Sequence, residues 1–81
     1  MAAHNAVADF RFWSHFLIWL VQPLNEVAEE HLRAHASDQS IWFSPPGSRP
    51  SLVVGPFDVE KLVAELRSAS FDVAGLWIYR N

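Results

Sequence analysis

The sequence predicts an α+β domain of the ferredoxin-like kind, chain order βαββαβ, with one four-stranded antiparallel sheet and two helices on one of its faces. Three observations carry that expectation. Residues 52–79 read as strand, helix, strand: Leu52-Val53-Val54 is a β-branched run closed by Gly55-Pro56, Val59, Leu62, Val63 and Leu66 mark one helical face, and residues 71–79 alternate again. Sliding the chain by 34 positions sets Ile18-Trp19-Leu20 over Leu52-Val53-Val54, Glu26 over Glu60 and Leu32-Arg33 over Leu66-Arg67, the mark of a duplicated βαβ plan. Residues 44–50 hold three prolines and a glycine, so they form a turn and not a ladder between strand 40–44 and strand 52–54.

Taken in order, residues 1–8 are small and weakly patterned, an N-terminal arm ahead of a single domain spanning 9–81. Residues 9–21 fit two descriptions. As a helix they are apolar almost all round. As a strand they place Phe10, Phe12, Phe16, Ile18 and Leu20 on one face and Arg11, Trp13, His15, Leu17, Trp19 and Val21 on the other. The internal match selects the strand; N-terminal helices followed by ββαβ is the alternative. Pro23 suits a first helical turn and Asn25 a cap, with Glu26, Glu29 and Glu30 near the positive end of the dipole and Arg33 and His35 near the negative end. Asp58 is the expected cap of the second helix, over residues 59–68, with Phe57 stapled onto Leu62. Gly75 interrupts the last strand, as at a bulge or a close backbone approach.

Composition narrows function. Six basic against nine acidic residues give a net charge of -3 without any Lys/Arg cluster, which argues against nucleic acid as a partner. The absence of cysteine removes disulfides, thiolate catalysis and cysteine-based zinc sites together. The longest apolar run, residues 16–21, is far short of the roughly 20 residues a membrane-spanning helix needs. Asp9 and Arg11 break any signal-peptide pattern, and a cytoplasmic location without membrane attachment is the expectation. No nucleophile elbow, phosphate loop or H-E-x-x-H run is present, so the chain reads as non-enzymatic and free of cofactors. His31 and His35, spaced i,i+4, are the weak candidates for a metal and lack a third ligand fixed by pattern.

The aromatic content of 14% supplies the functional expectation. Alternation puts Phe16, Ile18, Leu20, Ile41, Phe43, Leu52, Val54, Leu76 and Ile78 under the helices, and Trp19, Trp42, Val53, Trp77 and Tyr79 on the uncovered face. Such a patch calls for a cover: a protein partner, a second copy in a homodimer or a ligand, the alternative being the chain's own N-terminal arm or residues 9–21 packed there as a helix. The expected interface is therefore Trp19, Trp42, Trp77 and Tyr79, with Arg49 at the tip of the 44–50 loop. This makes a regulatory, inhibitor or adaptor domain, with a small-ligand-binding dimeric α+β barrel as one alternative.

Val53-Val54-Gly55-Pro56-Phe57, followed by a helix and Phe71-Asp72-Val73, resembles the second half of a SPOR domain, and Val21-Gln22, Ala28-Glu29 and Leu32 resemble the first. Ser70 stands where that family ends its second helix with glycine. The resemblance implies a βαββαβ fold that binds peptidoglycan glycan strands on its sheet, through Gln22 and the sheet aromatics Trp19, Trp42 and Trp77.

Overall fold

A computed structural model describes residues 8–75. The expected strand over residues 71–79 and the residues Leu76, Trp77, Ile78 and Tyr79 fall wholly or partly outside that range. Within it, seven elements follow one another: β1 (Phe10–His15), β2 (Ile18–Pro23), α1 (Glu26–His35), β3 (Trp42–Phe43), β4 (Ser51–Val54), α2 (Val59–Ser68) and β5 (Val73–Ala74). They form an α+β fold with one mixed sheet in the order β3-β4-β2-β1-β5.

The main departure from expectation lies in residues 9–21. These residues are neither one strand nor a helix. They turn at Phe16-Leu17 and return as a tight hairpin whose register runs from Phe10 opposite Pro23 to His15 opposite Ile18. From β2 onward the order is the expected strand, helix, two strands, helix, strand. The extra strand, β1, is wedged between β2 and β5, so β5 lies parallel to β1 and the sheet has five strands instead of four antiparallel ones. Pro23 ends β2 and does not open the helix. Leu24 supplies the next ladder bond, donating to the Asp9 carbonyl at 2.8 Å, so the missing N–H of proline breaks no bond to β1.

α1 starts where its chemistry says it should. Asn25 is extended, and its Oδ1 accepts from the Ala28 N–H at 2.8 Å. Ala28 and Leu32, one turn apart, are the buried residues of α1. α2 buries Val59, Leu62, Val63 and Leu66, the i, i+3, i+4, i+7 face read from sequence. Asp58 holds the N-cap position and α2 starts at Val59, as expected, but the expected side-chain bond does not form. Asp58 is already in helical conformation and makes no side-chain cap bond; the Asp58 N–H instead donates to the Gly55 carbonyl at 3.1 Å, closing a turn with Pro56 at its favoured second position. Phe57 is 96% exposed, so no staple onto Leu62 forms.

α2 ends in a left-handed residue, Ser70, at φ 71°. Ser70 N–H donates to Arg67 O at 2.9 Å and Phe71 N–H to Leu66 O at 3.0 Å, the paired closure of a Schellman motif. Phe71 then packs on the core beside Phe10, ring centroids 5.2 Å apart and nearly perpendicular. A few residues on, Gly75 sits at φ +99°, and a Cβ there would lie 2.3 Å from the Phe12 carbonyl oxygen. The close approach inferred from sequence is therefore real: only glycine lets β5 press against β1 at this point.

The core is one cluster. Phe10, Phe12, Val21, Leu52 and Val54 form its sheet side, and the buried residues of both helices close it from above. Both helices therefore lie on one sheet face, as right-handed crossovers in opposite directions require.

Candidate functional site

Which side chains face away from the helices follows from register. In β1 the even-numbered residues Phe10 and Phe12 point to the core; in β2 the odd-numbered Val21 and Pro23 stand opposite them, with Trp19 opposite Ser14. Trp19 continues onto Val54, and Val21 onto Leu52, which in turn opposes Trp42. Trp19 and Trp42 are thus on the helix-covered face, half-buried against the core, and the Arg33 guanidinium of α1 lies 5.0 Å from the Trp42 ring. This corrects the expected division of faces. Leu20 shares a face with Val53, and Ile41 and Phe43 are on the uncovered side, not beneath the helices. Leu52, Val54 and Val53 stand where alternation put them.

The cause is the two-residue turn. A continuous strand keeps one parity on one face, whereas a tight hairpin at Phe16-Leu17 hands the core from even-numbered to odd-numbered residues. For β3, a one-residue difference in register against β4 had the same effect on Trp42.

The helix-free face therefore collects a different set. Ile41, Val53, Leu20 and Trp13 form one row across the sheet; Phe43, Ser51, Gln22, Arg11 and Ala74 form the next. Ile41 joins the first row because its carbonyl accepts from Val53 N–H at 2.9 Å. Ile41 is 65% exposed and Phe43 51%. Arg11 lies with its guanidinium 5.1 Å from the Trp13 ring, a cation–π contact between i and i+2 on the same strand face. No strand of the sheet contains an acidic residue, although the chain has nine. Among the described residues, Arg11 and His15 are the only titratable side chains on the strands. Strand alternation in the sequence does not gather Trp13, Ile41 and Phe43 as a group; the signal that does is this absence of carboxylates.

At one end of the same sheet the apolar surface continues past the strands. Phe16 is 92% exposed and Leu17 81%. Because β4 is antiparallel to β2, with Trp19 opposite Val54, the exposed Phe57 follows β4 at this same end. The His15 ring packs edge-on to Phe16, centroids 4.9 Å apart.

The remaining predicted site residues have internal roles. Arg49 holds the 44–50 loop in place: its Nη1 donates to Glu29 Oε1 at 2.7 Å, and its carbonyl accepts from Gln22 Nε2 at 3.3 Å. Arg33 Nε donates to the other Glu29 oxygen at 3.2 Å. The Arg49 hydrogen bond, opposed by desolvation and seconded by the hydrogen bond and charge of Arg33, holds the Glu29 carboxyl below its ordinary pKa. His31 stacks on Phe71 with centroids 4.8 Å apart, while His35 Nδ1 lies 3.4 Å from Glu65 Oε1 on α2. The two histidines thus engage different neighbours. Among the described residues no group of three or more His, Asp or Glu side chains is placed to hold a metal.

A cleft of about 340 Å³ lies between the end of α1, β4 and the first turns of α2, with His35, Ser40, Asp58, Lys61 and Glu65 at its rim. Much of its polarity is already satisfied, by the His35–Glu65 pair and by Ser37 N–H donating to Ser40 Oγ at 2.9 Å. Among the described residues no helix is long and apolar enough to cross a membrane. No protein-family model, curated protein or solved structure gives a significant match to this chain.

Proposed function

We propose that this chain is a small, non-enzymatic protein-interaction domain that binds a protein partner through the helix-free face of its sheet. The observation that carries the reading is the composition of that face: Trp13, Ile18, Ile41, Phe43 and Val53 around a single stacked arginine, with no carboxylate on any strand. Exposed apolar groups next to an aromatic-stacked Arg are the residue types that dominate binding energy at interface centres. The acidic residues lie in the helices, the loops and the segments flanking the strands. That partition keeps the chain soluble while leaving the binding face free of charges that must be desolvated.

The test is a paired substitution, Ile41→Lys with Phe43→Lys, compared with wild type in affinity capture from extract and then in titration against the captured protein. Both side chains are exposed, so folding should be unaffected and affinity should fall at least tenfold. A variant that melts normally and binds the same protein equally well refutes the reading.

Glycan binding on the same face is a second reading. It is supported by Gln22 and Trp13 facing outward near one another, Trp13 opposite Leu20 and Gln22 opposite Arg11. Co-sedimentation with purified peptidoglycan, lost in Trp13→Ala, tests it.

A further inference from the structure

The turn between β1 and β2 is built from residues that do not suit it. Two-residue hairpin turns take Gly, Asn or Asp because at least one central residue must adopt positive φ. Here the central pair is Phe16-Leu17, with Phe16 at φ 59°. Apart from the edge contact of the His15 ring with Phe16, both side chains gain little burial from their position, Phe16 being 92% and Leu17 81% exposed. Backbone strain, unsuitable residue types and two exposed large apolar side chains coincide at one turn.

We infer that the chain also forms a dimer by exchanging β1 between two copies, with the Phe16-Leu17 turn opened. Short strained connections favour such exchange, because opening releases the strain while every other native contact is remade with the partner copy. β1 is joined to the following elements through this turn alone, and it bonds to β2 on one side and β5 on the other. In the exchanged form it fills the same slot in the second copy. The opened segments of the two chains then cross at Phe16 and Leu17, where each chain's pair meets the other's and loses its exposure. Each hairpin pair joins an even-numbered to an odd-numbered residue. A regular strand through the crossing would turn one half's core side chains outward, so the irregular step falls at Phe16-Leu17. The exchange does not require the open face to bind anything.

The full chain, refolded from denaturant at high concentration and separated by size with light scattering, should give a dimer that persists on dilution, because return to monomer requires β1 to leave the sheet. Phe16→Gly with Leu17→Asn supplies a proper turn and should raise the dimer dissociation constant about 100-fold, since the strain is relieved in both chains of the pair. A cysteine pair distinguishes exchange from surface contact. Arg11 and Gln22 are directly opposite, and the chain has no cysteine of its own. Arg11→Cys with Gln22→Cys should oxidise to covalent dimers in the dimer fraction and to intrachain links in the monomer. A wild type that stays a single chain at every concentration overturns the inference. So does a dimer fraction holding only intrachain links; if that dimer is also lost in Phe43→Lys, the contact belongs to the open face.

Discussion

Asn25 joins three parts of the fold, and replacing it should cost more than a helix cap alone. Its Oδ1 accepts from Ala28 N–H at 2.8 Å while its Nδ2 donates to Asp9 Oδ1 at 2.8 Å. The other Asp9 oxygen accepts from the Asp72 N–H at 2.9 Å, just before β5. Asn25, through Asp9, thus ties the start of α1 to the leads into β1 and β5. Loss of a cap costs about 1 kcal/mol. Taking a donor from a part-buried carboxylate that retains another partner costs about 1 kcal/mol more. Asn25→Ala should therefore destabilise by about 2 kcal/mol, a drop in Tm of roughly 8–16 °C for a domain of this size. Asn25→Ser keeps the cap and loses the Asp9 bond, so it should fall about halfway. Asn25→Asp keeps the cap and suits the helix dipole, but it sets a second carboxylate against Asp9. At neutral pH it should be as damaging as alanine. A carboxyl facing a like charge has a raised folded pKa, so folding gains stability as pH falls, and the deficit should shrink toward about pH 4. Thermal melts of the three variants at pH 7 and pH 4 decide the matter. A serine variant as stable as wild type, or an aspartate variant as stable at pH 7, would refute the reasoning.

Two further outcomes follow from the backbone and from Glu29. Ser70 and Gly75 both have positive φ, and substitutions there should move stability in opposite directions. Ser70→Gly should stabilise by about 1 kcal/mol by removing left-handed strain. Gly75→Ala should destabilise by about 2 kcal/mol or more, because the new methyl meets the Phe12 carbonyl as well as the strained φ. Denaturant midpoints at constant m-value test both, and a neutral Ser70→Gly would count against the left-handed helix end. Glu29 has a depressed pKa, so its contribution is complete above the ordinary carboxylate range and is lost as pH falls through the lowered value. Acid should therefore loosen the 44–50 loop that Arg49 ties to α1, and Glu29→Gln should reproduce that loosening at neutral pH. Amide exchange across Gly47–Ser51 measures it; identical protection in the two proteins at neutral pH would exclude the tether.

Elements built on local chemistry were legible. α2 spans the residues that the spacing of Val59, Leu62, Val63 and Leu66 indicates, and Asn25 caps α1 as its residue type suggests. Gly75 meets a neighbouring backbone, as an interrupted strand implies. The hairpin was not legible, because Phe16-Leu17 contains none of the residues that announce a turn. Asp58 takes the cap position that its residue type suggests, but the Gly55-Pro56 turn brings the chain into α2 already helical, and neither the side-chain cap bond nor the Phe57 staple forms.

The candidate site depended on the least local quantity of all, the parity of each strand against the core. Hydrophobicity could not supply it, since both faces of β2 are apolar and its Leu20 and Val21 are both buried. The tryptophans pointed the wrong way for the same reason. A large ring is as useful for closing the edge of a small core, as Trp19 and Trp42 do, as for meeting a partner. Charge is the better discriminator, because an acidic chain must put its carboxylates somewhere and cannot place them where a partner will exclude water. All nine lie off the strands. That pattern needs no register to be read: the helices keep one side of the sheet dry, and the absence of carboxylates from the strands is what supports the proposed partner on the other.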